Sequence, residues 1–143
     1  MGECIFCGIA AKKIPASVVY EDKDIIAFMD INPLSEGHTL VVPKRHSELV
    51  YQMGKNEAGA LMEAAHTVSA AIRKSGIPCD GINFVVSDGR AAGQEVPHVH
   101  MHLIPRLSGD GYEVINWKTR QKLDTARIFA VAERITAALA STN

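Results

Sequence analysis

Three of the chain's six histidines lie in one short run, Pro97-His98-Val99-His100-Met101-His102-Leu103-Ile104-Pro105. A strand sends successive side chains to opposite faces, so His98, His100 and His102 form a row, and Val99, Met101 and Leu103 face a core. The two prolines are expected to mark where ladder pairing stops. At a rise of about 3.3 Å per residue, neighbouring histidines stand ~6.6 Å apart and the outer pair ~13 Å apart. Metal–nitrogen bonds are only about 2 Å long, so one zinc ion reaches two of the three but not the whole row, which weakens an all-histidine catalytic metal site. A row of imidazoles suits an anionic substrate with several oxygens. Each ring can act as nucleophile, proton donor or hydrogen-bond partner near neutral pH. Polyphosphates and nucleotide phosphates fit.

The run matches the His-φ-His-φ-His-φ-φ signature, and the chain resembles the histidine triad (HIT) superfamily of nucleotide hydrolases and transferases. The resemblance extends to Ile14-Pro15, Glu21-Asp22, Phe28-Met29-Asp30-Ile31-Asn32-Pro33 and Gly37-His38-Thr39-Leu40-Val41-Val42-Pro43-Lys44-Arg45-His46. It implies an α+β fold with an antiparallel sheet of about five strands, helices packed against it, and a homodimer. It also implies a nucleophilic His100 that attacks the α-phosphate of a purine nucleotide and releases the nucleoside monophosphate. His102 would steady the phosphate charge and help protonate the leaving group, with His98 beside them and His38 in support. Gln94 would contact the phosphate and position the nucleophile. Asp30 would take the ribose hydroxyls, and Ile5, Phe6, Ile9, Phe28 and Ile31 would enclose the base. Ser87, Gly93, Glu95 and Val96 complete the implied nucleotide site. The Gly93-to-His100 run is closer to the Fhit-like branch, which cleaves dinucleoside polyphosphates. The N-terminal half is closer to the Hint-like branch of purine nucleoside phosphoramidases, which usually has asparagine where Ser87 stands. Both leaving groups therefore remain open, as does a non-catalytic zinc-containing nucleotide-binding module.

The elements that must position these residues can be read in order. Cys4-Ile5-Phe6-Cys7 is half of a zinc site, a redox pair or two small buried residues. His46 and His98 are candidate partners, and the resemblance supports structural zinc on Cys4, Cys7, His46 and His98, with no catalytic metal required. Cys79 has no companion in sequence and reads as core. A short helix is expected over residues 6–13, strands over 17–22, 25–30, 38–43 and 82–87, and a helix over 57–74. A last helix is expected at about 124–140, capped by Asp124, with Ile128, Val131, Ile135 and Leu139 on one face. Residues 107–122 show no periodicity, and Trp117 within them is expected either across a dimer or at the site's rim. The loop 88–94 is expected to offer backbone N–H groups to an anion.

With 143 residues, 47% hydrophobic, the chain suits one domain over 1–143, its first 15 residues carrying the zinc staple. A formal charge of −1 with no basic tract argues against nucleic acid or an anionic membrane as partner. Neither a membrane span nor a signal-peptide core is visible, and the sparse cysteines suit a reducing compartment, so a cytoplasmic location is expected.

Overall fold

The computed structural model describes residues 3–111 and 115–140. The irregular stretch expected over 107–122 is therefore covered except for 112–114. Five strands, β1 (Val18–Glu21), β2 (Ile25–Met29), β3 (Thr39–Pro43), β4 (Gly81–Val85) and β5 (Met101–Arg106), form one antiparallel sheet in the order β1-β2-β3-β5-β4. Three helices accompany it: α1 (Ile5–Ala10), α2 (Lys55–Lys74) and α3 (Thr125–Ala140). This is the expected α+β class. Among the described residues no helix is long and apolar enough to cross a membrane.

The period-two pattern of the strands divides the sheet into two apolar layers. Ile25, Ala27, Met29, Val41, Val99 and Leu103 turn to one side and pack under α2 and α3. Ile26, Phe28, Leu40 and Val42 turn to the other, where Phe6 and Ile9 of α1 cover them. Register then builds the floor of a site on the second face. Phe28 pairs with Leu40 and Leu40 with His102, so these three side chains stand in a row across three strands. Asp30, two residues beyond Phe28, and His38, two before Leu40, fall on the same face, and the Asp30 N–H donates to the His38 carbonyl at 3.0 Å.

Local chemistry explains where elements differ from expectation. α2 begins at Lys55, because the Gly54 N–H donates to Glu57 Oε1 at 3.0 Å and makes Glu57 the third helical residue, not the first. β5 begins only at Met101, so His98 and His100 lie on extended chain ahead of the ladder, although their alternation holds: Val99 and Leu103 are in the helix-side core. Pro105 does not end the strand. It pairs with Ile82, and its carbonyl accepts the Ser35 hydroxyl at 2.6 Å, beyond the end of the β3 pairing at Leu103. Its missing N–H lies on that same edge, so no ladder bond to β4 is lost. Ahead of His38, Gly37 adopts φ +92°, where an added Cβ would sit 3.2 Å from Pro105 and 3.3 Å from Ile77. Only glycine fits both the conformation and the space.

Candidate active site

A cavity of about 460 Å³ opens on the face that carries Phe28, Leu40 and His102. Its walls combine apolar side chains, among them Ile5, Phe6, Ile9, Phe28 and Val96, with polar ones, Asp30, Ser87, His100, His102 and Arg120. Phe6, Ile9 and Phe28 also belong to the core beneath. Ile5 and Ile31 do not: they line the cavity and remain 54% and 69% exposed, apolar surface that a flat ligand would cover.

The hydrogen bonds of the buried histidines fix their tautomers. A carbonyl can only accept, so His100 Nδ1, 2.7 Å from the His98 carbonyl, carries its ring's proton and the lone pair lies on Nε2. By the same argument His98 Nε2 donates to the Pro43 carbonyl at 2.8 Å, leaving its lone pair on Nδ1. His38 is set in the opposite sense. The Leu34 N–H donates to its Nδ1 at 3.0 Å, so the proton of the neutral ring sits on Nε2. That proton faces His102 Nδ1 at 3.0 Å, closer than Asp30 Oδ2 at 3.5 Å. His102 therefore accepts on Nδ1 and keeps a hydrogen on Nε2. Two adjacent rings with centroids 5.0 Å apart thus offer one lone pair and one N–H donor.

Burial is the main reason why these rings stay neutral. It lowers the His100 pKa from its ordinary value. It brings His38 to about 3, with the positive charge of Arg120 adding to the effect. His102 also falls to about 3, through burial and then the neighbouring His38 and His100. Unfolding exposes rings that titrate near ~6.5, so between pH ~6.5 and 3 the unfolded chain binds protons that the folded chain does not. Stability must fall as pH drops through that window, by about 1.4 kcal/mol per pH unit for each such ring. His38→Gln, which keeps a donor for His102, is expected to lose about 2 kcal/mol less than the wild type between pH 7 and pH 5. Urea unfolding at both pH values measures this, and equal losses would remove the explanation.

His98 belongs to a second group. Its Nδ1 lies 3.2 Å from Cys4 Sγ, 3.6 Å from Cys7 Sγ and 3.1 Å from His46 Nδ1, and Cys7 Sγ is 3.4 Å from His46 Nδ1. Zinc bonds of about 2.0–2.3 Å at tetrahedral angles give ligand–ligand edges of roughly 3.3–3.8 Å, close to this arrangement. The His98 tautomer also fits, since its lone pair faces the sulfurs and its N–H is anchored on a carbonyl. Asp30, His38 and His102 also lie within metal-binding reach of one another. There the chemistry does not fit, because the Leu34 N–H forces the proton of His38 onto the nitrogen that faces the cluster.

The family model of the HIT domain matches residues 11–109. The chain belongs to the HIT family. An uncharacterised HIT-like protein of Methanocaldococcus jannaschii is 47% identical over 121 residues, which cover 85% of this chain and 92% of that one. A zinc-bound histidine triad family protein of Mycobacterium smegmatis superposes with a TM-score of 0.86 at 33% identity, covering 97% of this chain and 94% of the other. An adenylylsulfatase of Arabidopsis thaliana is 36% identical over 108 residues, 76% of this chain and 54% of that longer one.

Within this HIT domain most of the residues expected at the site come together, with instructive exceptions. Ile5, Phe6, Ile9, Phe28, Asp30, Ile31, Ser87, Gly93, Glu95, Val96, His100 and His102 all line the cavity. His38 lies fully buried behind His102. His98 does not reach the cavity wall; its ring turns to the cysteines. Gln94 does not reach it either, because its amide is used at both ends: Oε1 accepts the Gly89 N–H at 2.7 Å and Nε2 donates to the Glu48 carbonyl at 2.9 Å. The loop 89–94 is also less open to anions than expected, since the N–H groups of Ala92, Gly93 and Gln94 donate within the loop itself. Arg120, by contrast, was not anticipated. Its Nη1 lies 3.0 and 3.2 Å from the Asp30 carboxylate, and its guanidinium stacks 5.1 Å from the Trp117 ring. Trp117 settles at the rim, its ring 4.8 Å from that of His102.

Proposed function

We propose that this HIT protein is a nucleotide hydrolase or nucleotidyl transferase that cleaves at the α-phosphate of purine nucleotides through a nucleotidyl-His100 intermediate. The observation that carries the reading is the tautomer pair, a lone pair on His100 Nε2 beside an N–H on His102 Nε2, in the wall of a cavity that is also lined by apolar side chains. The purine lies against Phe6, Phe28 and the exposed isoleucines, and the ribose hydroxyls turn to Asp30. Nε2 of His100 forms a bond to the α-phosphorus as the bond to the leaving group breaks, and the electron pair departs with that group, which takes up a proton from solvent. His102 donates a hydrogen bond to the phosphate as charge shifts; held neutral, it acts as a fixed N–H donor more than as a store of an acidic proton. Water then attacks the phosphorus and gives up a proton to solvent, the P–N bond electrons return to Nε2, and the nucleoside monophosphate leaves. The His98 carbonyl holds the Nδ1 proton through both steps, so the ring never has to rotate.

Cys4, Cys7, His46 and His98 would hold a structural zinc ion, which with four protein ligands closes its coordination sphere and fastens α1 to the sheet. The cleavage steps make no use of it. The leaving group is an amine, as in an adenosine phosphoramidate, or a second nucleotide, as in a diadenosine polyphosphate. The Arabidopsis relative, by its name, acts on an adenylyl sulfate, which supports cleavage beside an α-phosphate without choosing between these. Incubation with each substrate labelled at the α-phosphate, quenched in denaturant, is expected to give labelled protein with the faster substrate, its label on His100. Turnover with no protein-bound label under any quench would sink the covalent route.

A further inference from the structure

The Asp30 carboxylate is already engaged by the protein itself. Asp30 is buried, and its Oδ1 takes the Asn32 N–H at 2.8 Å. A carboxylate offers about four lone-pair positions, and Arg120 Nη1 uses both oxygens, at 3.2 and 3.0 Å, while also donating to the Asn32 carbonyl at 2.6 Å. Resting on the reading of Asp30 as the ribose acceptor, we propose that Arg120 is a self-ligand which competes with the ribose diol for Asp30, and that nucleotide binding displaces it.

The contact has the features of an exchangeable one. A single nitrogen serves three acceptors, in place of the parallel two-nitrogen fork that makes the strongest arginine–carboxylate pairs. The guanidinium is partly exposed, so solvent weakens the pair further. Among the described residues, the segment that carries it makes bonds of its own, with Asn116 capping Lys118 at 3.1 Å and its carbonyl taking the Thr119 N–H, and it is tied to the body by the Gln121 N–H to the Pro33 carbonyl and by ring contacts of Trp117 with His38 and His102. Asn116, Thr119 and Gln121 also line a separate cavity of about 520 Å³ with Leu34 and Pro105. Trp117 stacks on the guanidinium and its ring lies 4.8 Å from that of His102, so both side chains form part of the cavity wall beside the histidines. A ligand that lacks the diol gains nothing by displacing Arg120. One that has it exchanges an internal ion pair for two hydroxyl hydrogen bonds, and its affinity is reduced by the cost of that exchange.

The test uses the whole chain as purified and two probes, AMP and 2′,3′-dideoxy-AMP, whose phosphate and base are identical. Calorimetric dissociation constants are measured for the wild type, Arg120→Gln, Trp117→Leu and Asp30→Asn. Arg120→Gln is expected to tighten AMP about three- to tenfold and dideoxy-AMP by less than twofold. Trp117→Leu, which loosens the guanidinium but keeps its charge, should move AMP the same way by a smaller factor. If Arg120→Gln leaves AMP unchanged, or weakens both probes, Arg120 is no competitor and the proposal is overturned. Asp30→Asn separates the two readings: it should abolish the wild-type preference for AMP over the dideoxy probe. A preference that survives in Asp30→Asn, or a protein that binds neither probe, removes the ribose reading and the proposal with it. Loss of the preference in Asp30→Asn with no gain in Arg120→Gln removes the competition alone.

Discussion

His100→Ala is expected to lower kcat by at least about a thousandfold while AMP still binds within several-fold of the wild type. The two effects separate because the ring does different things in them. In binding, His100 is one wall among many, its ring 5.0 Å edge-on from Phe6, with the apolar side chains of the cavity and Asp30 untouched by the substitution. In the proposed turnover it supplies the electron pair that splits one displacement into two. Without it, water must attack phosphorus unaided, with only orientation and the His102 N–H left to lower the barrier. Truncation also leaves the His98 carbonyl without its donor and opens a void beside Phe6, so some stability is lost. Circular dichroism and urea unfolding of the variant keep that loss distinct from the catalytic one. His98→Ala is the contrasting member of the row: it should act on stability and metal content first. If kcat of His100→Ala falls by less than tenfold, the nucleophile lies elsewhere.

That contrast shows how far the row could be read from its spacing. A period of two correctly sends His98, His100 and His102 away from Val99 and Leu103, because pleat geometry is local. What the rings do next is not local. His98 turns to Cys4, far away in the sequence, and His102 is set by His38, whose tautomer depends on the Leu34 N–H. Such bonds are fixed by which strands become neighbours, and the crossed order β3-β5-β4 is what brings them together. Most of the cavity wall was legible through motif resemblance. Arg120 was not, and Trp117 only as one of two alternatives, since both sit in a stretch with no apolar periodicity that docks on Asp30 from ninety residues away. Gln94 illustrates the reverse case: the residue was singled out, but its amide holds the loop to Glu48 and Gly89 in place of lining the cavity. Ladder pairing, expected to stop near Pro105, runs one residue further to Arg106, because a proline's effect in a strand depends on which edge its nitrogen faces.

Removal of metal is expected to cost several kcal/mol of stability and to raise KM by about tenfold, with kcat at saturation changed by less than about threefold. The asymmetry follows from where the four ligands sit. Cys4 caps the first turn of α1 and Cys7 lies within it, and that one helix presents Ile5, Phe6 and Ile9 to the cavity. His46 follows β3 and His98 leads into β5, so a metal ion on the four would fasten the apolar wall to the sheet. Six residues make too short a helix to be stable alone, and it is held by the buried Phe6 and Ile9 with Ala10 packed beside them. Loosening α1 should therefore weaken the grip on the base, whereas the His100 and His102 tautomers depend on carbonyl and ring contacts that the metal does not supply. Cys7→Ser is the cleaner variant, since Cys4 also accepts the Cys7 N–H and its loss would disturb the cap. Elemental analysis should show about one metal ion per chain in the wild type and almost none in Cys7→Ser, with the urea midpoint lowered in parallel. Exhaustive chelation of the wild type should reproduce both changes. If chelation instead abolishes kcat while KM holds, and added zinc restores it, the ion takes part in the chemistry and the division between the two histidine groups is wrong.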